Sequence, residues 1–263
     1  MLELYSPAKI NLFFRILGKR PDGYHEIVSL YQAIDLFDRL FFEFSKDDLI
    51  TCSDPEIPTD QSNLVAKSLS LFRERFPFQN NIKIHIEKNI PTQAGLGGGS
   101  SNAATTLWGL NQILGSPASL SDLIQMGSAI GSDVSFFFSS GSAHCTSRGE
   151  VFKSTSLPAP ISGYIAKPQF GLSTPLVYQH VDVKKLIQHH SCPYFNDLEV
   201  SSFTLEPRLM DLKQQLKKSF KTVVMTGSGT AFFCIDGKIE GINGVTFIPF
   251  SSTHRSTWYN DKG

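Results

Sequence analysis

The chain's 263 residues, 41% hydrophobic and 18% charged, suffice for one large domain or two modest ones, and a balance of 24 basic and 24 acidic side chains leaves no global field to draw nucleic acid or an anionic membrane. Cys52, Cys145, Cys192 and Cys234 lie too far apart for a CxxC redox pair or a zinc knuckle, and no apolar run reaches membrane-spanning length. The opening MLELYSPAKINLFF lacks the pattern of a secretory or transit segment, so free thiols in a reducing cytoplasm are expected, with the 21 phenylalanines read as core.

Leu4 to Ile16 reads as a strand interrupted around Pro7. Lys19 to Glu26, KRPDGYHE, is a loop, because Pro21 followed by Asp22-Gly23 is strong turn chemistry. Ile27 to Phe44 is rich in apolar and aromatic residues and reads mostly as strand. Asp60 to Asn63 can cap a helix with Val65, Leu69 and Phe72 on one face. Ile82, Ile84 and Ile86 alternate with Lys83 and His85, which predicts a half-buried strand. That strand runs into IPTQAGLGGGSSNAATTLWGLN, Ile90 to Asn111, where Ala103, Leu107, Leu110 and Leu114 take up helical spacing. A further helix is predicted from Ser119, with Asp122 completing an approximate capping box, to near Gly131. SLPAPISG, Ser156 to Gly163, reads as a linker or as the entry to an interdomain strand. Beyond it, Lys184 to His190 and Pro207 to Phe220 read as helices, and Val223 to Met225 with Phe232 to Ile235 as strand, glycine turn, strand. The fold class is α+β, with two lobes divided near residue 155. His85, His189 and His190 lack metal-ligand spacing and are read as exposed.

Six residues, Gly95 to Ser100, contain four glycines. Glycine weakens any regular element, so a cluster directly before a helix needs a reason. Strand, glycine-rich loop, helix is the arrangement of a phosphate site: the free N–H groups of a helix start carry partial positive charge, and glycines let an anion approach them. Ser100 and Ser101 add hydroxyl donors near the first turn. The alternative is a tight strand-to-helix connection without a ligand. No Lys follows the glycines, so the Walker pattern is absent. The dinucleotide pattern follows an early strand and needs an acidic residue on the next one. No VAIK-type strand accompanies the loop, as it would in a protein kinase.

PTQAGLGGGSSNAA, Pro91 to Ala104, resembles the PxxxGLGGGSS signature of the GHMP small-molecule kinases. MTGSGTAFF, Met225 to Phe233, is similar to that superfamily's C-terminal glycine motif, and SPAKINLFFRILGKRPDGYHEI, Ser6 to Ile27, to its N-terminal one. With GSDVSFFF, Gly131 to Phe138, the N-terminal stretch resembles one branch, whose acceptor is a cytidine-diphosphate-linked sugar alcohol. The resemblance implies a two-lobed GHMP kinase architecture with the active site in the cleft: residues 1–155 as the N-terminal lobe with the ATP-binding glycine loop, and 156–263 as the C-terminal lobe. It implies ATP with Mg²⁺ as cosubstrate and no tightly bound cofactor. No residue pattern marks a protein metal ligand, and phosphate oxygens can hold most of the ion. Partners are expected to be these small molecules, with no nucleic acid or membrane, for a monomer or weak homodimer. A GHMP kinase for another small alcohol, or a catalytically silent nucleotide-binding protein, are the alternatives.

The resemblance assigns the ATP phosphates to Pro91, Thr92, Gln93, Ala94, Gly95, Leu96, Gly97, Gly98, Gly99, Ser100 and Ser101. Asp133 matches the catalytic carboxylate that accepts the hydroxyl proton; by its sequence context alone it reads as a helix N-cap. Lys9, inside an apolar strand, would by itself read as an edge lysine in solvent; the PAKIN match turns it into the cleft, paired with Asp133. Asn11 shares the strand face of Lys9 and is expected on the acceptor hydroxyls. Tyr24 and His25 suit a cytosine ring by stacking and edge hydrogen bonds, or are two surface loop residues. Thr174 and Tyr178, in LSTPLVYQ, match a substrate-facing segment, with Tyr178 stacking on cytosine from the other side. Gly227 to Gly229 is expected to shape a loop facing the ATP site, and Asn63 matches the family or simply starts a helix.

Overall fold

The computed structural model describes residues 1–186, 191–257 and 259. Strand β1, Leu2–Lys19, runs without a break; Pro7 is absorbed by a register shift between Pro7 and Ala8, where a residue without an N–H costs no ladder bond. The Asp22-Gly23 turn returns the chain as β2, His25–Ser45, antiparallel to β1. β3, Leu49–Cys52, is followed by α1, Leu64–Arg75, whose Asn63 cap accepts from the Val65 N–H at 2.9 Å. β4, Asn81–Glu87, buries Ile82, Ile84 and Ile86 on one face, as the alternation predicts. α2, Gly98–Ile113, and α3, Leu120–Ile130, follow; Ser119 and Asp122 close the predicted capping box. After a short 3₁₀ turn, Ser135–Phe138, come β5, Ser142–Ser147, and β6, Val151–Ser154.

The second half holds β7, Ser162–Pro168; α4, Thr174–Gln179; β8, Phe195–Asn196; α5, Leu198–Leu205; α6, Arg208–Leu216; β9, Phe220–Met225; β10, Phe232–Gly237; and β11, Val245–Ser251. Of the helix expected over 184–190, the described part is a 3₁₀ turn, Val183–Lys185, and residues 187–190 lie outside the described residues. The helix expected to reach Phe220 stops at Leu216, because Phe220 begins β9 and is buried beside Tyr164. His85 is half-buried rather than exposed, bonded through Nδ1 to the Thr51 hydroxyl at 2.8 Å.

Among the described residues the strands form two sheets. The first has the order β3-β4-β2-β1-β8, with β5 and β6 branching from β2; the second runs β11-β7-β10-β9. The segment around residue 155 separates β6 from β7, but the chain crosses back twice. β8 adds to β1, and Tyr259 stacks on Trp108 of α2 at 4.8 Å. β1 passes through three apolar clusters: Leu4 packs with α1–α3, Ala8, Ile10 and Leu12 with Ile165 and Phe233 of the second sheet, and Phe14 and Ile16 with Leu209 and Leu212 of α6. Burial on both faces explains its near-continuous apolar run. No described helix is long and apolar enough to cross a membrane.

Candidate active site

The glycine loop is a strap held between β1 and the β9–β10 turn. The Lys9 N–H donates to the Leu96 carbonyl at 2.9 Å, the Thr230 and Ala231 N–H groups to the carbonyls of Gln93 and Ala94, and the Thr226 hydroxyl to that of Gly95. Gly95 adopts φ +73°, and a Cβ there would lie 2.0 Å from the Thr226 carbonyl oxygen. Its first demand for glycine is therefore protein backbone from the other half of the chain. Gly97, at φ +70°, is the left-handed N-cap of α2, and a Cβ there would press on the Lys9 stem at 3.0 Å. Around Gly98, Gly99 and Ser100 the start of α2 faces the cleft, with only Leu64 near a Cβ on Gly99, at 3.9 Å. We expect Gly95→Ala to lower stability by about 1–3 kcal/mol, through left-handed strain and displacement of the Thr226 turn, read as a lower Tm with weaker ATP binding.

Asp38, fully buried in β2, anchors the approach to this loop. Its carboxylate receives the Lys88 ammonium at 2.8 Å, the N–H groups of Asn89 and Ile90 at 2.7 and 2.8 Å, and the Asn102 amide at 2.9 Å. Lys88 also donates to the Ile90 carbonyl. One carboxylate thus ties the end of β4, the loop and the first turn of α2 together.

Below the loop stands the pair expected from the sequence. Lys9 Nζ lies 3.4 Å from Asp133 Oδ2, with the lysine side chain 3% and the aspartate side chain 29% exposed. Asp133 sits in the turn between α3 and the 3₁₀ turn, and its Oδ1 accepts from the Tyr31 hydroxyl at 3.0 Å. Asn11, expected against the acceptor, is instead fully buried. Its Oδ1 accepts from Lys9 Nζ at 2.8 Å and the Gly227 N–H at 2.9 Å, and its amide donates to Ser29 at 3.0 Å. The side chain locks the lysine to the β9–β10 turn, a role that needs the second sheet in place to be seen. Ser101 likewise turns inward, taking a hydrogen bond from Ser6 at 2.8 Å, so its hydroxyl is spent inside the protein.

At the far end of the cleft, the His25 ring lies 5.6 Å from that of Tyr178, tilted 33°, and the Arg148 guanidinium sits 5.0 Å over the exposed Tyr24 ring. Burial, with the Lys19 ammonium nearby, lowers the His25 pKa from its usual value. That shift favours the neutral ring, with one nitrogen donating and one accepting. Thr174 begins α4 and bonds Ser228 of the β9–β10 turn at 2.7 Å. Lys9, Asp133, Tyr24, His25, Thr174, Tyr178 and the loop from Pro91 to Ser100 all line one cavity of about 890 Å³, whereas Asn11 and Ser101 lie behind its wall.

Residues 63–141 match the GHMP kinases N terminal domain. Over 98% of the chain and 93% of the relative, 48% of residues are identical to the 4-diphosphocytidyl-2-C-methyl-D-erythritol kinase of Protochlamydia amoebophila (strain UWE25). The chain belongs to the 4-diphosphocytidyl-2-C-methyl-D-erythritol kinase family. A second bacterial member, from Brevibacillus brevis, is 36% identical over 89% of the chain and 87% of its own length. Among solved structures, one of 4-(cytidine 5'-diphospho)-2C-methyl-D-erythritol kinase aligns with TM-score 0.77 at 30% identity, covering 95% of this chain and 99% of that one. A mevalonate kinase shares the fold alone, at TM-score 0.70 and 12% identity over 96% and 99% of the two chains.

Several residues that line or brace the cleft of this family member escaped the sequence reading: Tyr31, Asp38, Lys88 and Arg148. A carboxylate inside the apolar run from Ile27 to Phe44 was the available signal for Asp38, since a buried charge needs partners. Tyr31 had no such signal; an aromatic in a strand reads as core.

Proposed function

We propose that this chain transfers the γ-phosphoryl group of ATP to the 2-hydroxyl of 4-diphosphocytidyl-2-C-methyl-D-erythritol, in the non-mevalonate route to isoprenoid precursors. The observation that carries the reading is the Lys9–Asp133 pair, 3.4 Å apart in the same cleft as the start of α2. The helix start and the glycine backbone receive the nucleotide phosphates. Asp133 takes the acceptor hydroxyl proton as the oxygen bonds to the γ-phosphorus; the bond from that phosphorus to the bridging oxygen breaks, and ADP leaves. Lys9, held by Asn11, neutralises charge on the moving phosphoryl group.

Magnesium enters with ATP as substrate. Among the described residues no group of three or more His, Cys, Asp or Glu side chains could cage a metal. Phosphate oxygens and water suffice for magnesium, which keeps most of its ligands from those two sources. The same reading takes 1–155 as the lobe that holds ATP and 156–263 as the lobe that closes the cleft. It assigns the protein to the cytoplasm as a monomer or weak homodimer, and four cysteines that are all free thiols suit a reducing compartment.

The test is ADP release from Mg-ATP with and without the cytidyl acceptor, with mevalonate and homoserine as competing acceptors. Release that depends on the cytidyl compound supports the reading; release with another alcohol instead, or with none, overturns it. Tyr178→Ala is expected to raise KM for the acceptor roughly 10-fold, the value of one lost base stack, while KM for ATP stays within about twofold. Equal changes in both would remove Tyr178 from the cytosine site. Because the folded His25 resists protonation, acceptor KM is expected to be flat from pH 8 down to about 6.5 and to rise below it. An acceptor KM that already rises between pH 8 and 7 would show that His25 is not the ring being titrated.

A further inference from the structure

We propose that Tyr31 is a positioning residue for phosphoryl transfer: its buried hydroxyl holds the Asp133 carboxylate in the orientation in which it meets the acceptor. The proposal rests on the reading of Asp133 as proton acceptor. Tyr31 stands in the middle of β2, opposite Asn11 of β1 on one side and Ala143 of β5 on the other. Its ring is 2% exposed and meets Phe136 edge-on at 5.2 Å. A phenylalanine would pack the same way. The added hydroxyl carries a desolvation cost in such a place unless it is bonded. It is bonded, at 3.0 Å, to Oδ1 of Asp133.

The same side chain touches the other half of the pair. Lys9 Nζ lies 4.8 Å from the Tyr31 ring centroid and 3.4 Å from Oδ2 of the carboxylate. One carboxylate oxygen is therefore fixed by the phenol and the other faces the ammonium. Gly149, at φ +117°, leaves room for this arrangement; a Cβ there would lie 3.2 Å from the Tyr31 hydroxyl and 3.6 Å from Oδ1. Burial first, and the charge of Asp133 second, hold the phenol well above its ordinary pKa, so it is a hydrogen-bond donor throughout the working pH range. Asp133 belongs to a turn rather than to a helix or strand, and its rotamer depends on these side-chain contacts.

The experiment is a double-variant cycle on the full-length enzyme with Mg-ATP and the cytidyl acceptor, comparing wild type, Tyr31→Phe, Asp133→Asn and the combined variant under single-turnover conditions. Tyr31→Phe is expected to lower kcat roughly 10-fold with both KM values within about twofold, as for an interaction used in the transition state. Adding Tyr31→Phe to Asp133→Asn is expected to change the rate by less than about twofold, because the hydroxyl acts only through the carboxylate. A wild-type kcat in Tyr31→Phe, a loss confined to KM, or losses that multiply in the combined variant would overturn the proposal. If wild type shows no acceptor-dependent transfer, or Asp133→Asn retains full turnover, the kinase reading or the Asp133 role fails first and the proposal falls with it. Thermal melts of each variant separate these outcomes from unfolding.

Discussion

Asp133→Asn is expected to lower kcat roughly 100- to 10,000-fold, the usual contribution of a positioned general base, with KM for ATP little changed. The substitution keeps the size of the side chain and an oxygen for the Tyr31 hydroxyl. It removes the negative charge that faces Lys9 at 3.4 Å and the basic oxygen that would take the proton. The turn carrying Asp133 is braced independently, by Val134 and the buried phenylalanines Phe136 and Phe137, so the variant is expected to fold with a near-normal Tm. Steady-state ADP release with the acceptor at saturation is the measurement. A folded Asp133→Asn enzyme with a kcat within tenfold of wild type would mean that the acceptor proton leaves by another path, and that Lys9 and the helix start do most of the work.

Asp38→Ala is expected to destabilise the fold by about 3–5 kcal/mol, the range for removing one partner of a buried ion pair. The lysine side chain left behind is 7% exposed, and the N–H groups of Asn89 and Ile90 lose their acceptor in the same step. For a chain of this size each kcal/mol moves Tm by about 2–4 °C, so a fall of roughly 6–20 °C is expected in a thermal melt. Adding Lys88→Met is expected to restore only part of it. The charge is removed, but two backbone donors and the Asn102 amide remain without the carboxylate. Complete recovery would show that the charge alone matters and that the hydrogen bonds to the loop do not. Because the same carboxylate fixes the segment leading into the glycine loop, weaker ATP binding is expected even at temperatures where the variant is folded.

Much of the first half was legible from local signals. The isoleucine alternation of β4, the Asn63 cap, the Ser119–Asp122 box and the glycine cluster before α2 each depend on residues a few positions apart. The chain beyond α3 was harder to read. β5 is rich in small polar residues, β6 has four residues and β8 two; such segments become strands because a neighbour offers hydrogen bonds. Phe220 looked helical from its position after α6 and is strand because β10 and Tyr164 receive it. Of the site, the motif residues lining the cleft and the pairing of Lys9 with Asp133 could be named in advance, but the burial of Asn11 and Ser101 and the partners that hold them could not.

By itself, the sequence determined the α+β class, the starts of α1, α2 and α3 and, through its motifs, the family. These follow from spacing and backbone chemistry, which are properties of neighbouring residues. The tertiary structure alone decided that Gly95 is glycine because Thr226 approaches it, that Asn11 is buried against Lys9, and that Tyr31 meets Asp133 while Asp38 meets Lys88. Each of those depends on groups far apart in the chain, such as Asn11 and Gly227, meeting in a space from which water is excluded. There a single hydrogen bond or charge acquires its strength from desolvation, and no local pattern of residues encodes that.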